Sequence, residues 1–389
     1  MIAVVSDARY RTALAAIRCL GRAGVPVVAV ERDDIPPRDV IGFYSRWTLR
    51  RVTVPPPPEG DAGPWLEHLA AAVGADREPA VWLPAAMGTL RTAVVWQDRL
   101  PSGLRALLPD PAAFALADDK AALLELARRE GVPVPETWRP EPGESPEDLA
   151  RRVRYPLVIK YRNGEVLGLP PHRRYAVVRD RREFVERYRA MHRQQPDPVV
   201  QEYVPGDSFG FAAAARDGRV YAAFCHRRLR QYPVTGGPST MAVSIRDDRL
   251  VDLGSRLLKA LNWSGVAMVE FKQDAAGEFR LMEINPRLWG SLPLAVAAGA
   301  DIPLVWYRLA AGEDVEPDLG WREGVRMRFL FQDLLAARDL IRTGREKPSF
   351  ALRYLRELLD PRVVDGVFSR QDPRPGWAYL WRSLRRAVD

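Results

Sequence analysis

Histidine and cysteine are both scarce in this 389-residue chain, four of the one and two of the other. Cys19 and Cys225 lack metal-type spacing and the histidines form no constellation, so the sequence offers no thiolate or imidazole metal centre. Both cysteines sit in apolar surroundings and read as buried free thiols in a reducing compartment. Long hydrophobic runs are missing too. The most apolar stretch, Leu292 to Trp306, is broken by Asp301 and holds two prolines, which makes it too short and interrupted to cross a bilayer. The chain opens directly on a strand with no basic n-region or cleavage site, so a cytoplasmic location is expected. Internal repeats and low-complexity tracts are absent. Lysine is rare, and arginine supplies almost all of the positive charge. The net charge of +8 favours anionic partners without choosing among nucleotides, acidic metabolites, nucleic acid and membrane surfaces. Basic residues are spread along the whole chain rather than gathered with aromatics on one face, so no nucleic-acid partner is expected.

What is present begins with size: 389 residues exceed one compact core and imply two or three domains. Residues 1–110 alternate strand and helix. Ile2 to Ser6 reads as a strand, Tyr10 to Ala23 as a helix ended by Gly24, and Val25 to Val30 as a second strand. So short a run requires a right-handed crossover and a parallel sheet. A further strand, Ala80 to Leu83, precedes a helix from Met87 to Gln97. Glu31 stands where a ribose-binding carboxylate would. However, Ser6-Asp7-Ala8-Arg9 holds no glycine, so a nicotinamide site is not expected and the domain reads as a degenerate Rossmann-like unit. Pro109-Asp110-Pro111 marks its end.

Asp118 or Asp119 then caps a helix from Lys120 to Glu130. A strand from Leu157 to Tyr161, a helix from Arg182 to His192 and a strand from Val199 to Val204 follow. Next come a hairpin, Phe209 to Ala215 with Val220 to His226, and a helix from Leu250 to Leu261. The expected divisions are 1–110, 111–195, 196–320 and 321–389. The last is a helical, arginine-rich extension in which Trp381 and Leu384 recur at helical spacing. Its expected place is against the body with its arginines in water; contact with a membrane surface is the less favoured alternative.

The most informative stretch is Met268-Val269-Glu270-Phe271-Lys272, a turn at Gln273 to Gly277, then Leu281-Met282-Glu283-Ile284-Asn285-Pro286-Arg287. It reads as a hairpin. Glu283 and Asn285, two apart, share a face, and folding brings Glu270 beside them. Among nearby sequence positions only Arg287 is placed to neutralise them. Hard oxygen donors so few in number suit Mg²⁺ carried in on nucleotide phosphates. The alternative is a solvated hairpin with ordinary surface carboxylates, which the apolar neighbours Val266, Met268, Phe271, Leu281 and Ile284 disfavour.

This series resembles the metal-binding end of the ATP-grasp superfamily, in its carboxylate–amine ligase group (carbamoyl-phosphate-synthase-like and D-aspartate-ligase-like). The resemblance implies that Glu270, Glu283 and Asn285 hold Mg²⁺, or Mn²⁺, on ATP, and that Arg287 contacts substrate or acyl phosphate. Lys160, closing its strand, and Lys120, opening its helix, resemble the two phosphate-contacting lysines. Gln201 to Asp207 resembles the hinge between the grasp halves, which assigns Glu202, Tyr203, Val204 and Asp207 to the nucleotide. Adenine pairing of that kind needs a strand with a free edge, which this stretch is expected to supply. Tyr161 to Gly168 stands where the family carries its glycine-rich lid. His226 to Arg230 followed by Thr235 to Thr240 resembles the substrate side. It gives Arg228 a catalytic role and assigns Gly236, Gly237 and Ser239 to substrate; a solvated arginine cluster on a mobile loop is the alternative. The implied fold class is α/β: a Rossmann-like pre-grasp domain, a two-part α+β ATP-grasp domain and a helical tail. The implied activity joins a small, amino-acid-like carboxylate to an amine through an acyl phosphate, with ATP and Mg²⁺ as cofactors and a homodimer left open. A non-catalytic ATP sensor and a biotin-carboxylase-like enzyme are the alternatives.

Overall fold

The computed structural model describes residues 1–388 apart from Glu165, Pro171, His172, Thr235, Lys347 and Pro348, and of residues 386–388 only the backbone. The first unit is a parallel sheet built of β1 (Ile2–Val5), β2 (Val27–Arg32), β3 (Thr48–Val54), β4 (Ala80–Leu83) and β5 (Leu104–Arg105), in the order β3-β2-β1-β4-β5. Helices α1 (Arg11–Arg22), α2 (Gly63–Val73) and α3 (Met87–Val95) connect it. β1, β2 and β4 are apolar and buried because helices cover both faces, as parallel sheets require. Glu31 is buried at the end of β2, where it accepts the Arg9 backbone amide at 2.8 Å and pairs with the Arg9 guanidinium. It is thus engaged inside the domain, in keeping with the missing glycine fingerprint.

The second unit comprises α4 (Pro111–Asp118), α5 (Lys120–Arg129), β6 (Thr137–Trp138), α6 (Pro146–Arg152), β7 (Leu157–Lys160), β8 (Tyr175–Val178), α7 (Arg181–Gln194) and β9 (Val199–Glu202). Its sheet runs β6-β9-β7-β8, all antiparallel. β9 is therefore an interior strand between β6 and β7. The free edge expected for the hinge is not there, because the backbone of 199–202 is already paired; only the chain from Tyr203 onward lies beyond the ladder. Asp119, not Asp118, caps α5, accepting the amides of Ala121 and Ala122.

The third unit holds β10 (Ser208–Arg216), β11 (Arg219–Gln231), β12 (Ser239–Ile245), α8 (Asp248–Ala260), β13 (Gly265–Gln273), β14 (Phe279–Asn285), α9 (Leu292–Ala298) and α10 (Ile302–Ala311). The remaining elements are β15 (Arg326–Arg328), α11 (Leu330–Arg342), α12 (Ser349–Leu359), β16 (Val363–Asp365) and α13 (Arg374–Val388). The tail is helical as expected, but it also contributes two short strands to the seven-stranded sheet β14-β13-β10-β11-β12-β15-β16. Among the described residues no single helix is long and apolar enough to cross a membrane.

Candidate active site

The β13–β14 hairpin turns where Asp274 accepts the amides of Ala276 and Glu278 and Gly277 takes a positive φ of 81°. Its register sets Glu270 opposite Glu283 and Met268 opposite Asn285. The three oxygen-bearing side chains expected to meet do so, and the Asn285 amide lies 3.4 Å from Glu283 Oε1.

Two cations that the local sequence did not place beside these carboxylates reach them through the fold. Lys120 Nζ lies 3.2 Å from Glu283 Oε2, and Arg228 Nη2 lies 3.2 Å from Glu270 Oε1. Both contacts join elements more than forty residues apart, so spacing along the chain carried no sign of them. Burial works against the charge of Glu283, but Lys120, Lys160 and Arg287 together hold its carboxyl down at about 2. Lys160 is pushed down to about 8, chiefly by burial, with Glu283 opposing.

Arg228 also donates to Gln231 Oε1 at 3.1 Å and to Gly237 O at 3.4 Å, which ties the glycine-rich loop to the carboxylate pair. Gly236 adopts φ 150°, and a Cβ there would lie 1.6 Å from the hydroxyl of Tyr175 on β8, so the loop requires glycine to close against the other half of the molecule. Thr235 lies outside the described residues. Ser239 opens β12 and its hydroxyl donates to Met241 O at 3.1 Å, back into its own strand. In the stretch expected to form the lid, the Asn163 backbone amide donates to Gln195 Oε1 at 3.0 Å; Glu165 lies outside the described residues.

At the hinge, the amide of Glu202 donates to Glu136 O at 2.9 Å and that of Tyr203 to Pro156 O at 3.3 Å. Val204 O accepts Lys272 Nζ at 2.9 Å, and the same ammonium lies 5.5 Å from the Tyr203 ring. Asp207 lies 3.5 Å from Arg227 Nη1. Sequence reasoning passed over Lys272, although its position two residues after Glu270 and the rarity of lysine were both signals.

All fourteen residues singled out from the sequence line one cleft, of about 1410 Å³. The cleft also takes in Asp7, Arg9 and Thr89 at the carboxyl ends of the first sheet, and Leu340, Arg345 and Glu346 of the tail. Among the described residues no group of three His, Cys, Asp or Glu side chains converges. A cation here would rest on two carboxylates and one amide oxygen, leaving its other positions to phosphates and water. That donor set fits Mg²⁺.

A family model described as ATP-grasp in the biosynthetic pathway with Ter operon matches residues 194–332, the stretch that carries the hairpin and the arginine strand. Residues 194–332 thus match an ATP-grasp domain. The chain is 26% identical over 211 residues to a D-alanine–D-alanine ligase of Synechococcus sp., a match spanning 50% of the chain and 62% of the ligase. It thus spans less than two thirds of that relative. Among solved structures, its fold is similar to a biotin carboxylase of Campylobacter jejuni described as a β,γ-ATP complex, with TM-score 0.65 at 16% identity over 83% of this chain and 74% of that one. It is also similar to an L-amino acid ligase of Bacillus licheniformis, with TM-score 0.57 at 16% identity over 80% and 74%.

Proposed function

We propose that the chain is an ATP- and Mg²⁺-dependent carboxylate–amine ligase, and the observation that carries this is the convergence of Lys120 and Lys160 on the Glu270–Glu283 pair. Two of the few lysines in a chain that uses arginine almost everywhere else meet at the paired carboxylates in a cleft large enough for a nucleotide and a second molecule. Glu270, Glu283 and Asn285 would hold Mg²⁺, which supplies charge neutralisation on the phosphates when bound. Lys120 and Lys160 face the phosphates, and the strand end at Glu202 to Val204 faces the base.

A carboxylate oxygen of the acid substrate forms a bond to the γ-phosphorus as the bond to the ADP oxygen breaks. Arg287 and Arg228, both lining the cleft, offset the charge on the transferred group. The amine then displaces phosphate from the acyl carbon. Acid and amine are amino-acid-like, since Arg228 with the Gly236–Gly237 turn suits a small carboxylate.

A biotin-carboxylase-like reaction fits the same phosphoryl step, with bicarbonate as the acid, and the likeness to the Campylobacter jejuni enzyme favours it as the second reading. Phosphate release from ATP and Mg²⁺ separates the two when measured with acids and amines singly and in pairs, bicarbonate included. Release requiring one acid plus one amine is the expected result. Release with bicarbonate alone supports the second reading, and release indifferent to any acid sinks both. Glu283→Gln is expected to abolish the Mg²⁺-dependent release.

A further inference from the structure

The register of the large sheet places His226 in line with the paired carboxylates. Gly210 of β10 pairs with His226 on one side and Glu270 on the other, and Glu270 pairs with Glu283. Directly opposed residues present their side chains on one face, so these four form a single cross-strand row. Gly210 is the gap in that row. A Cβ there would stand 2.2 Å from His226 Cε1, so the imidazole lies across Gly210, towards Glu270.

The imidazole is buried, and its two nitrogens differ. Nε2 lies 3.0 Å from Ser291 Oγ, whereas Nδ1 is buried with no partner among the described residues. A proton on Nδ1 would be enclosed without an acceptor, whereas a proton on Nε2 is donated to Ser291. The Nε2–H tautomer follows. Burial, with Arg228 adding to it, pushes the group down to about 3, so the ring stays neutral at ordinary pH. With Oγ already accepting from His226, the Ser291 hydroxyl has its own proton left to donate. Both residues line the cleft, and Ser291 follows Arg287 by four positions on the segment between β14 and α9.

We propose that Ser291, oriented by His226, donates a hydrogen bond to the acyl oxygen when the amine attacks the acyl phosphate, so that Ser291 and Arg287 flank the developing oxyanion. This rests on the ligase reading above. As the C–N bond forms, the carbonyl electron pair moves onto that oxygen; it returns as the C–O bond to phosphate breaks, and the amine proton leaves with the phosphate. Ser291 is the catalytic residue of the pair and His226 its positioning residue.

The test combines hydroxylamine capture with nuclear magnetic resonance. The full chain is given ATP, Mg²⁺, hydroxylamine and a mixture of amino acids and small acids, and hydroxamate is measured. Ser291→Ala should lower kcat about 10²-fold with the KM for ATP unchanged, and Ser291→Thr should recover most of it. A ¹⁵N spectrum, with the His226 signals assigned by their loss in His226→Gln, should show the Nε2–H tautomer between pH 6 and 9. A Ser291→Ala enzyme as fast as an active parent, or an Nδ1–H tautomer, overturns the proposal while leaving the ligase reading intact. A parent that forms no hydroxamate with any acid overturns the ligase reading, and this proposal with it.

Discussion

Lys160 ends β7 where burial strips water from its ammonium and Glu283 only partly restores the charge, leaving its pKa at about 8. The group is protonated below that pH and neutral above it. Nucleotide phosphates favour the protonated form, so binding above pH 8 must take up a proton and affinity must fall as pH rises. The slope should approach tenfold per pH unit for one linked proton, about 1.4 kcal/mol. Calorimetric titration of a non-hydrolysable ATP analogue from pH 6.5 to 9.5 reads this, and Lys160→Arg should flatten the curve. A parent curve that is already flat would exclude Lys160 from the phosphate site. Gly210 makes a second residue-scale case. The His226 ring above it is stacked on Phe224 at 5.9 Å between centroids, so it has little room to retreat from an added methyl. Gly210→Ala should destabilise the fold by ~1–3 kcal/mol through overpacking. In denaturant titrations that cost should shrink in a His226→Ala background, where the ring is gone. Equal costs in the two backgrounds would mean that the ring does not press on Gly210.

Elements from the tail are bolted to β11 by a buried charge cluster. Arg230, on β11, donates to both oxygens of Asp333 at 2.9 and 2.8 Å and to Glu357 at 2.7 Å, which joins α11 and α12 to the strand that carries Arg228. Asp333 is wholly enclosed and also accepts Thr240 Oγ1 at 2.9 Å. Arg230→Met therefore leaves a carboxylate without its main partner and should cost ~3–5 kcal/mol, whereas Arg230→Met with Asp333→Leu should regain most of it. Equilibrium denaturation of the two variants decides: a double variant no better than the single one would show that packing, not the charge, holds the tail. None of this was legible along the chain, since Arg230 and Asp333 stand 103 residues apart. The β13–β14 hairpin was legible because alternation and an Asp–Gly turn are local properties. β12 was not, because its apolar alternation follows directly on Gly236-Gly237-Pro238, which reads as loop. β15 and β16 are three residues each, too short to show any period, and they exist as strands only because the large sheet offers an edge to pair with. The hinge was misjudged for a related reason: two-residue β6 gave no sequence sign, yet it occupies the edge of β9.

At the scale of the whole molecule, the packing divides the chain differently from its order of elements. One core joins Val4, Val28 and Trp82 of the first sheet to Phe211, Val269 and Leu281 of the large one. A second joins Leu14 and Ile17 of α1 to Phe224, Met268 and Tyr379. Helices α4 and α5 contribute Phe114, Leu123 and Leu126 to the first of these. The tail closes the same body, since buried Asp372 accepts Arg18 Nε at 3.0 Å, Ser45 Oγ at 2.8 Å and the Arg46 amide at 2.8 Å. By contrast, Trp138, Leu149, Leu157, Phe184, Tyr188 and Val200 form a core drawn only from residues 138–200. That core carries Lys160 and the strand end at Glu202, while the carboxylates sit on the larger body. Cooperative units follow shared apolar cores rather than sequence order, so residues 138–200 should open as a separate unit while residues 1–110 have no transition of their own. Amide exchange followed by mass spectrometry should show β7 to β9 exchanging through a sub-global opening at lower free energy than β1, β4, β10 and β13, which should share one value. A saturating ATP analogue with Mg²⁺ should raise the smaller unit towards the larger, because the nucleotide would bridge Lys160 on one and Glu283 on the other. A distinct early opening of residues 1–110 would mean that the two large cores are not shared. An opening of residues 138–200 unmoved by nucleotide would mean instead that no ligand joins the two bodies across the cleft.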